Sequence, residues 1–283
     1  MVRLIRNQVE IMQTRKINFN VDTASYPFYY NQLNQSNKII LYIHGWSHSR
    51  RVWNPIMQKI EGDYSHIAID LPGFGLSGIP QNFGYQITEY ADCLADFLRH
   101  FPTPHAIVAH SMGGLVTLEY LKRYKSHCSK IAICGSPFEG VPFLRPLLCI
   151  PGLAQFIFSL RCLVPNIILK YGNTLTIARA NTHKITEELL EDIRKASSKT
   201  MAPSLHDIVF YISPQLDLSN KDILIVRGKK EIILTQKIAQ KYAHLFQATL
   251  EEIPHVSHTY AIESPEIFIR LLTNFLGKTS PND

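Results

Sequence analysis

With 283 residues, 46% of them hydrophobic and 18% charged, the chain carries enough apolar material for a full core, which excludes a disordered protein and makes one α/β domain with an insertion the starting expectation. The net charge of +6 is spread along the chain without a dense basic block, so nucleic-acid binding is not expected, and no metal or cofactor is called for. Five scattered cysteines (Cys93, Cys128, Cys134, Cys149, Cys162) lack the close pairs of a zinc site or a disulfide scaffold, and Asn7, Gln8 and Glu10 interrupt the basic start before any secretory apolar core develops. Free thiols in a cytoplasmic setting are the expectation.

Short β-rich runs alternate with segments of helical period, the pattern of a mostly parallel sheet covered by helices. "KINFNV" and "PFYYNQL" alternate polar and apolar residues and read as exposed edge strands. "KIILYIHG", "SHIAIDLPG", "HAIVAHS", "KIAICGS" and "DILIVRG" are nearly continuous Ile, Leu, Val and Ala, which suits central strands buried on both faces, and "ATLEEIP" reads as a last one. Between them, "YQITEYADCLADFLRHF" sets Ile87, Tyr90, Leu94, Phe97 and Leu98 on one helical face. "SPEIFIRLLTNFLG" does the same with Ile267, Leu271 and Phe275, with Ser264 as cap, Pro265 in the first turn and Gly277 past the end. The alternation breaks from 136 to 220, through "VPFLRPLLCIPGLAQFIFSLRCLVPNIILKYG" into the helical "KITEELLEDIRKASS". Arg145, Pro146, Pro151, Arg161 and Pro165 divide that apolar run below the roughly 20 residues of a membrane span. The expected architecture is an eight-stranded, mostly parallel sheet built from 1–135 and 221–283, with 136–220 as a helical lid at its rim.

Three loops at strand ends carry the candidate chemistry. In "VAHSMGG", Ser111 occupies a strand-to-helix turn, where a tight, strained backbone lifts a hydroxyl out of the sheet and only small flanking residues, here Ala109 and Gly113, allow strand and helix to approach. The Met112 amide lies at a helix N-terminus without an intrahelical partner and can donate to a developing oxyanion. In "YIHGWSHSRRVW", Gly45 permits a sharp turn that brings the Trp46 amide toward the same space. After the last strand, His258 can take and return a proton near neutral pH, with His255 as its rival. The orienting carboxylate falls after "DILIVRG", where Glu231 is the acid in the turn; Glu139, after "IAICGSP", is the backup.

In their order, strand-HGW, "DLPGFGLS" at 70–77, "AHSMGG", the acid three residues past Gly228 and "SH…ESPE" at 257–266 resemble the α/β-hydrolases over residues 15 to 277. The resemblance implies Ser111 as nucleophile, His258 as base, Glu231 as acid, and Trp46 and Met112 as oxyanion donors. Two positions depart from its pattern: Ala109 for the usual first glycine of the turn, and glutamate for the more frequent aspartate. A serine rather than an aspartate at the turn speaks against the haloalkane dehalogenase and epoxide hydrolase branches and for acyl chemistry on an ester carbonyl, and the apolar residues of the lid make a hydrophobic acyl ester the expected substrate. Phe138, Phe143, Phe156 and Phe158 of the lid can line an acyl pocket or rest on a lipid surface. A narrower resemblance is to pimeloyl-carrier-protein methyl ester esterases, in which Arg145, Arg161, Arg179 and Arg194 would meet an acidic acyl carrier protein. C–C bond hydrolysis and acyl transfer use the same residues, and a non-catalytic binding scaffold is the alternative outside enzymes.

Overall fold

The computed structural model describes residues 12–21, 24–124, 126–159, 191–192 and 195–277. Among them, eight strands form one sheet in the order β1-β2-β4-β3-β5-β6-β7-β8. They are β1 (Gln13–Val21), β2 (Ala24–Leu33), β3 (Ile39–Ile43), β4 (Ser65–Ile69), β5 (Ala106–His110), β6 (Lys130–Cys134), β7 (Asp222–Gly228) and β8 (Thr249–Ile253). The β1/β2 and β2/β4 pairs are antiparallel and every later pair is parallel.

Every residue of β3, β4, β5 and β6 is buried, because both faces of the sheet are covered. Alternate residues of β3 divide between two cores. Ile39, Leu41 and Ile43 pack with Tyr90, Leu94 and Phe97 of α2 (Ile87–Leu98) and with Leu115 and Leu118 of α3 (Met112–Tyr124). Ile40 and Tyr42 face the other way, toward Trp53, toward Ile56 of the short α1 (Asn54–Met57), and toward Phe268 and Leu272 of the C-terminal helix. Each such side chain gains roughly 1.5–3 kcal/mol over an exposed one.

Between β6 and β7, the described residues form α4 (Arg145–Leu148), α5 (Leu153–Ser159) and α6 (Ser198–Phe210). Of the expected helix "KITEELLEDIRKASS", residues 184–190 and 193–194 lie outside the described residues. The chain closes with α7 (Gln236–Leu245), α8 (Tyr260–Glu263) and α9 (Pro265–Gly277).

Two local expectations are corrected. "PFYYNQL" is not an edge strand: β2 lies between β1 and β4, and its alternation reflects Tyr26, Phe28 and Tyr30 turning into the core, where Phe28 stacks on Phe97 at 4.9 Å. Gly277 is the last residue of α9 rather than the one beyond it, while Ser264 stands at the cap position as expected, its carbonyl accepting the Phe268 N–H at 3.1 Å.

The strand order reverses at β3. From β3 the chain passes to β4 on one side and then crosses to β5 on the other, which makes the C-terminal ends of β3 and β5 the switch point where sheets of this kind place ligands. Gly45 and Ser111 lie on the loops that leave those two ends.

Candidate active site

Ser111 joins β5 to α3 with φ +52°, a left-handed conformation that disfavours a residue with a Cβ. Its N–H donates to the Cys134 carbonyl at 2.7 Å, and its carbonyl accepts from Gly114 N–H at 3.0 Å and Ser136 Oγ at 2.8 Å. Glycine is needed around it: a Cβ at Gly113 would stand 2.7 Å from the carbonyl oxygens of both Ile43 and His44. A Cβ at Gly45 would stand 3.0 Å from Ser111 Cβ. The turn is therefore wedged against the end of β3, with its side chain largely enclosed at 8% exposure.

His258 reaches this serine from the loop after β8. The Ser111 hydroxyl donates to its Nε2 at 3.0 Å, and its Nδ1–H donates to Glu231 Oε1 at 2.6 Å. That pairing fixes the imidazole tautomer, leaving Nε2 as the acceptor. The Glu231 side chain is wholly buried, and its carboxylate also accepts from Gly228 N–H at 3.3 Å, Leu234 N–H at 3.4 Å and the Tyr260 hydroxyl at 3.3 Å. A carboxylate with this many donors around it is held in one orientation. Gly135, at φ +62°, leaves room beneath the pair, since a Cβ there would stand 3.1 Å from both Glu231 Oε1 and His258 Nδ1.

The rivals lie elsewhere. His255 is exposed. Glu139 forms an ion pair with Lys241 at 2.5 Å. Trp46 follows Gly45, and its indole N–H donates to Ser204 Oγ at 3.1 Å and the Met201 carbonyl at 3.3 Å. Met112 is the first residue of α3 and fully buried, so its amide belongs to the turn of the helix that lacks intrahelical acceptors.

Of the four phenylalanines expected at an acyl pocket, Phe138 is corrected. It is wholly buried, stacks on Tyr242 at 4.4 Å and abuts Phe246, because the turn after β6 points it into the layer under α7. Phe143 and Phe156 are 53% and 61% exposed. Phe158 lies on α5, and its side chain is outside the described residues. Arg145 spends its guanidinium on the Val209 and Glu139 carbonyls, 3.4 Å each, and lies over the Phe210 ring. Arg161, Arg179 and Arg194 lie outside the described residues.

Sequence reasoning missed a second layer. His110 Nε2–H donates to the His258 carbonyl at 2.8 Å, with the two rings 4.8 Å apart, and His48 packs on the far side of His110 at 5.7 Å. Burial holds both neutral: His110 is pushed well below the ordinary histidine value and His48 down to about 3. Glu263 accepts from Ser257 N–H and Oγ and from Thr259 N–H and Oγ1, at 2.7–3.0 Å, which braces the backbone on both sides of His258. Asp70, in the "DLPGFGLS" segment, pairs with Arg50 and accepts from Arg50 N–H at 2.7 Å and Leu76 N–H at 2.8 Å. A Cβ at Gly75 would overlap that carboxylate. The only signal in the sequence for His110 was its place beside Ser111.

Among the described residues, no group of three His, Cys, Asp or Glu is placed to hold a metal ion, and no helix is long and apolar enough to cross a membrane. The model of the alpha/beta hydrolase fold matches residues 38–166. Epoxide hydrolase 1 of Caenorhabditis elegans is 30% identical over 276 residues, 88% of this chain and 68% of that protein. The 2-(acetamidomethylene)succinate hydrolase of Mesorhizobium japonicum is 26% identical over 249 residues, 85% of this chain and 88% of that protein. A pimeloyl-[acyl-carrier protein] methyl ester esterase of Wigglesworthia glossinidia brevipalpis is 23% identical over 271 residues, 89% of this chain and 98% of that protein. The chain belongs to the α/β-hydrolase fold family, and these relatives are hydrolases.

Proposed function

We propose that the protein is a serine hydrolase that cleaves a carboxylic ester with a hydrophobic acyl group through an acyl-enzyme. The observation that carries this reading is the unbroken line from Ser111 Oγ to His258 Nε2 at 3.0 Å and from His258 Nδ1 to Glu231 Oε1 at 2.6 Å, set where the strand order reverses. In the first step Ser111 Oγ bonds to the ester carbonyl carbon while its proton passes to His258 Nε2. The carbonyl π electrons move onto oxygen, and the resulting oxyanion is met by the Trp46 and Met112 amides. The carbon–alkoxy bond then breaks and His258 returns its proton to the leaving alkoxide. Water repeats the sequence on the acyl-serine. Glu231 orients the imidazole and faces the imidazolium as it forms.

A hydroxyl rather than a carboxylate at residue 111 favours acyl chemistry, and the pimeloyl methyl ester esterase among the relatives is consistent with an ester substrate. The segment 136–220 serves in this reading as the lid, with Phe143 and Phe156 as its exposed apolar groups. The test is labelling with a fluorophosphonate probe and hydrolysis of short p-nitrophenyl esters. Ser111→Ala abolishes labelling, and Ser111→Ala and His258→Ala each lower kcat about 10³-fold or more. Glu231→Gln lowers it substantially, while His255→Ala and Glu139→Gln leave it within about twofold. An unlabelled wild-type protein, or full activity in Ser111→Ala, overturns the reading.

A further inference from the structure

The candidate oxyanion turn is held from both sides, and the two sides come from different parts of the chain. On the sheet side, His44 Nδ1–H donates to the Gly45 carbonyl at 2.7 Å and His44 Nε2 accepts the Leu71 N–H at 3.0 Å. Arg50 N–H donates to Asp70 Oδ1 at 2.7 Å. On the outer side, contacts come from Glu191, Asp192 and α6, between β6 and β7. Ser49 Oγ donates to Asp192 Oδ2 at 2.5 Å, and the Arg51 guanidinium bridges Asp192 Oδ1 and, at 2.9 Å, Glu191 Oε2. Trp46 itself donates from its indole to Ser204 and Met201 in α6.

Two features make this more than a surface ion pair. Asp192 is buried, with a side chain 5% exposed, and Ser49 and Arg51 engage both of its oxygens; an exposed pair would contribute little. Ser47, next to Trp46, has φ +66°, a conformation that persists only where its surroundings over-determine it. Ser49 links the two: its Oγ accepts the Arg51 N–H at 3.3 Å and caps the 3-10 turn Arg50–Trp53 that ends the strained loop.

We infer that Asp192 is a positioning residue for the oxyanion turn, fixing the Trp46 amide through Ser49 and Arg51. The inference rests on the ester-hydrolase reading above. Asp192 thereby helps to complete the site that binds the transition state. The effect falls on the transition state rather than on ester binding, since Asp192 touches the turn and not the ester.

The test uses the full chain, with rates normalised to the fluorophosphonate-titrated site so that unfolded protein is not counted. Asp192→Ala lowers kcat about 10–100-fold, below the 10²–10³ typical of deleting an oxyanion donor outright. KM stays within about threefold. Inhibition by a trifluoromethyl ketone, whose serine adduct carries an oxyanion, weakens in proportion to kcat. Asp192→Asn, which still accepts from Ser49, recovers part of the loss. Ser49→Ala, which leaves the ion pair in place, lowers kcat about 3–10-fold and supplies the same readouts should Asp192→Ala not fold. Unchanged kcat per titrated site in the variants that fold, or a kcat loss with ketone inhibition unchanged, overturns the inference while leaving the ester-hydrolase reading intact. A wild-type protein that neither labels nor hydrolyses overturns both.

Discussion

The turn at Ser111 and the loop at His258 meet in one hydrogen bond, yet they are built differently. The turn is fixed mainly by backbone: its N–H bonds to β6, its carbonyl accepts from Gly114 N–H as well as Ser136 Oγ, and Gly113 lets main chain touch main chain. The loop is fixed by side chains, with Glu263 gripping residues 257 and 259 and His110 holding the 258 carbonyl. Backbone packing at van der Waals limits leaves no intermediate states, whereas a loop held by several hydrogen bonds can lose them one at a time.

The sharpest break of that contrast is Gly113→Ala. One methyl group would meet two backbone carbonyls at 2.7 Å, neither free to rotate away, so activity is lost and stability falls by about 3 kcal/mol or more. Urea unfolding and p-nitrophenyl ester turnover check this. A variant with wild-type kcat would show that the turn tolerates adjustment after all.

The second test is pH, because His48, on the loop after β3, packs against His110 beside the Ser111 turn. Its folded value of about 3 lies below the unfolded 6.5, so from pH 6.5 downward the unfolded chain binds a proton that the folded one refuses. Stability attributable to His48 is complete above pH 6.5 and falls through the window down to about 3, by about 3 kcal/mol at pH 4. Unfolding of wild type and His48→Gln at pH 7 and pH 4 isolates the effect: the difference between them shifts toward the variant by that amount on acidification. A pH-independent difference would mean that folding does not shift the proton equilibrium of His48.

The smallest effect is expected at the loop. In Glu263→Gln the single amide oxygen cannot replace a carboxylate that accepts four donors, which costs about 1–2 kcal/mol. Turnover drops about tenfold while fluorophosphonate labelling of Ser111 persists at a reduced rate. Complete loss of labelling would place the loop in the same all-or-none class as the turn.

The eight strands, the turn at Ser111, and the loops that bring His258 and Glu231 to it were legible in the sequence. Each is written in local pattern: continuous apolar runs, a serine between small residues, and an acid and a histidine just past strand ends. The errors share one cause. Reading "PFYYNQL" as an edge and Phe138 as a pocket residue judged exposure from neighbours in sequence, while β1 and Tyr242, which bury them, arrive from elsewhere in the chain.

Periodicity and turn chemistry, which act over a few residues, thus determined by themselves which elements form and which loops carry reactive groups. Only the tertiary structure decided what steadies those groups: His110 against the 258 carbonyl, Glu263 around His258, and Asp192 on Ser49 and Arg51 across 143 and 141 positions of sequence. Such partners are chosen by burial, where an unpaired polar group is costly, and burial exists only once the sheet and its covering helices have assembled.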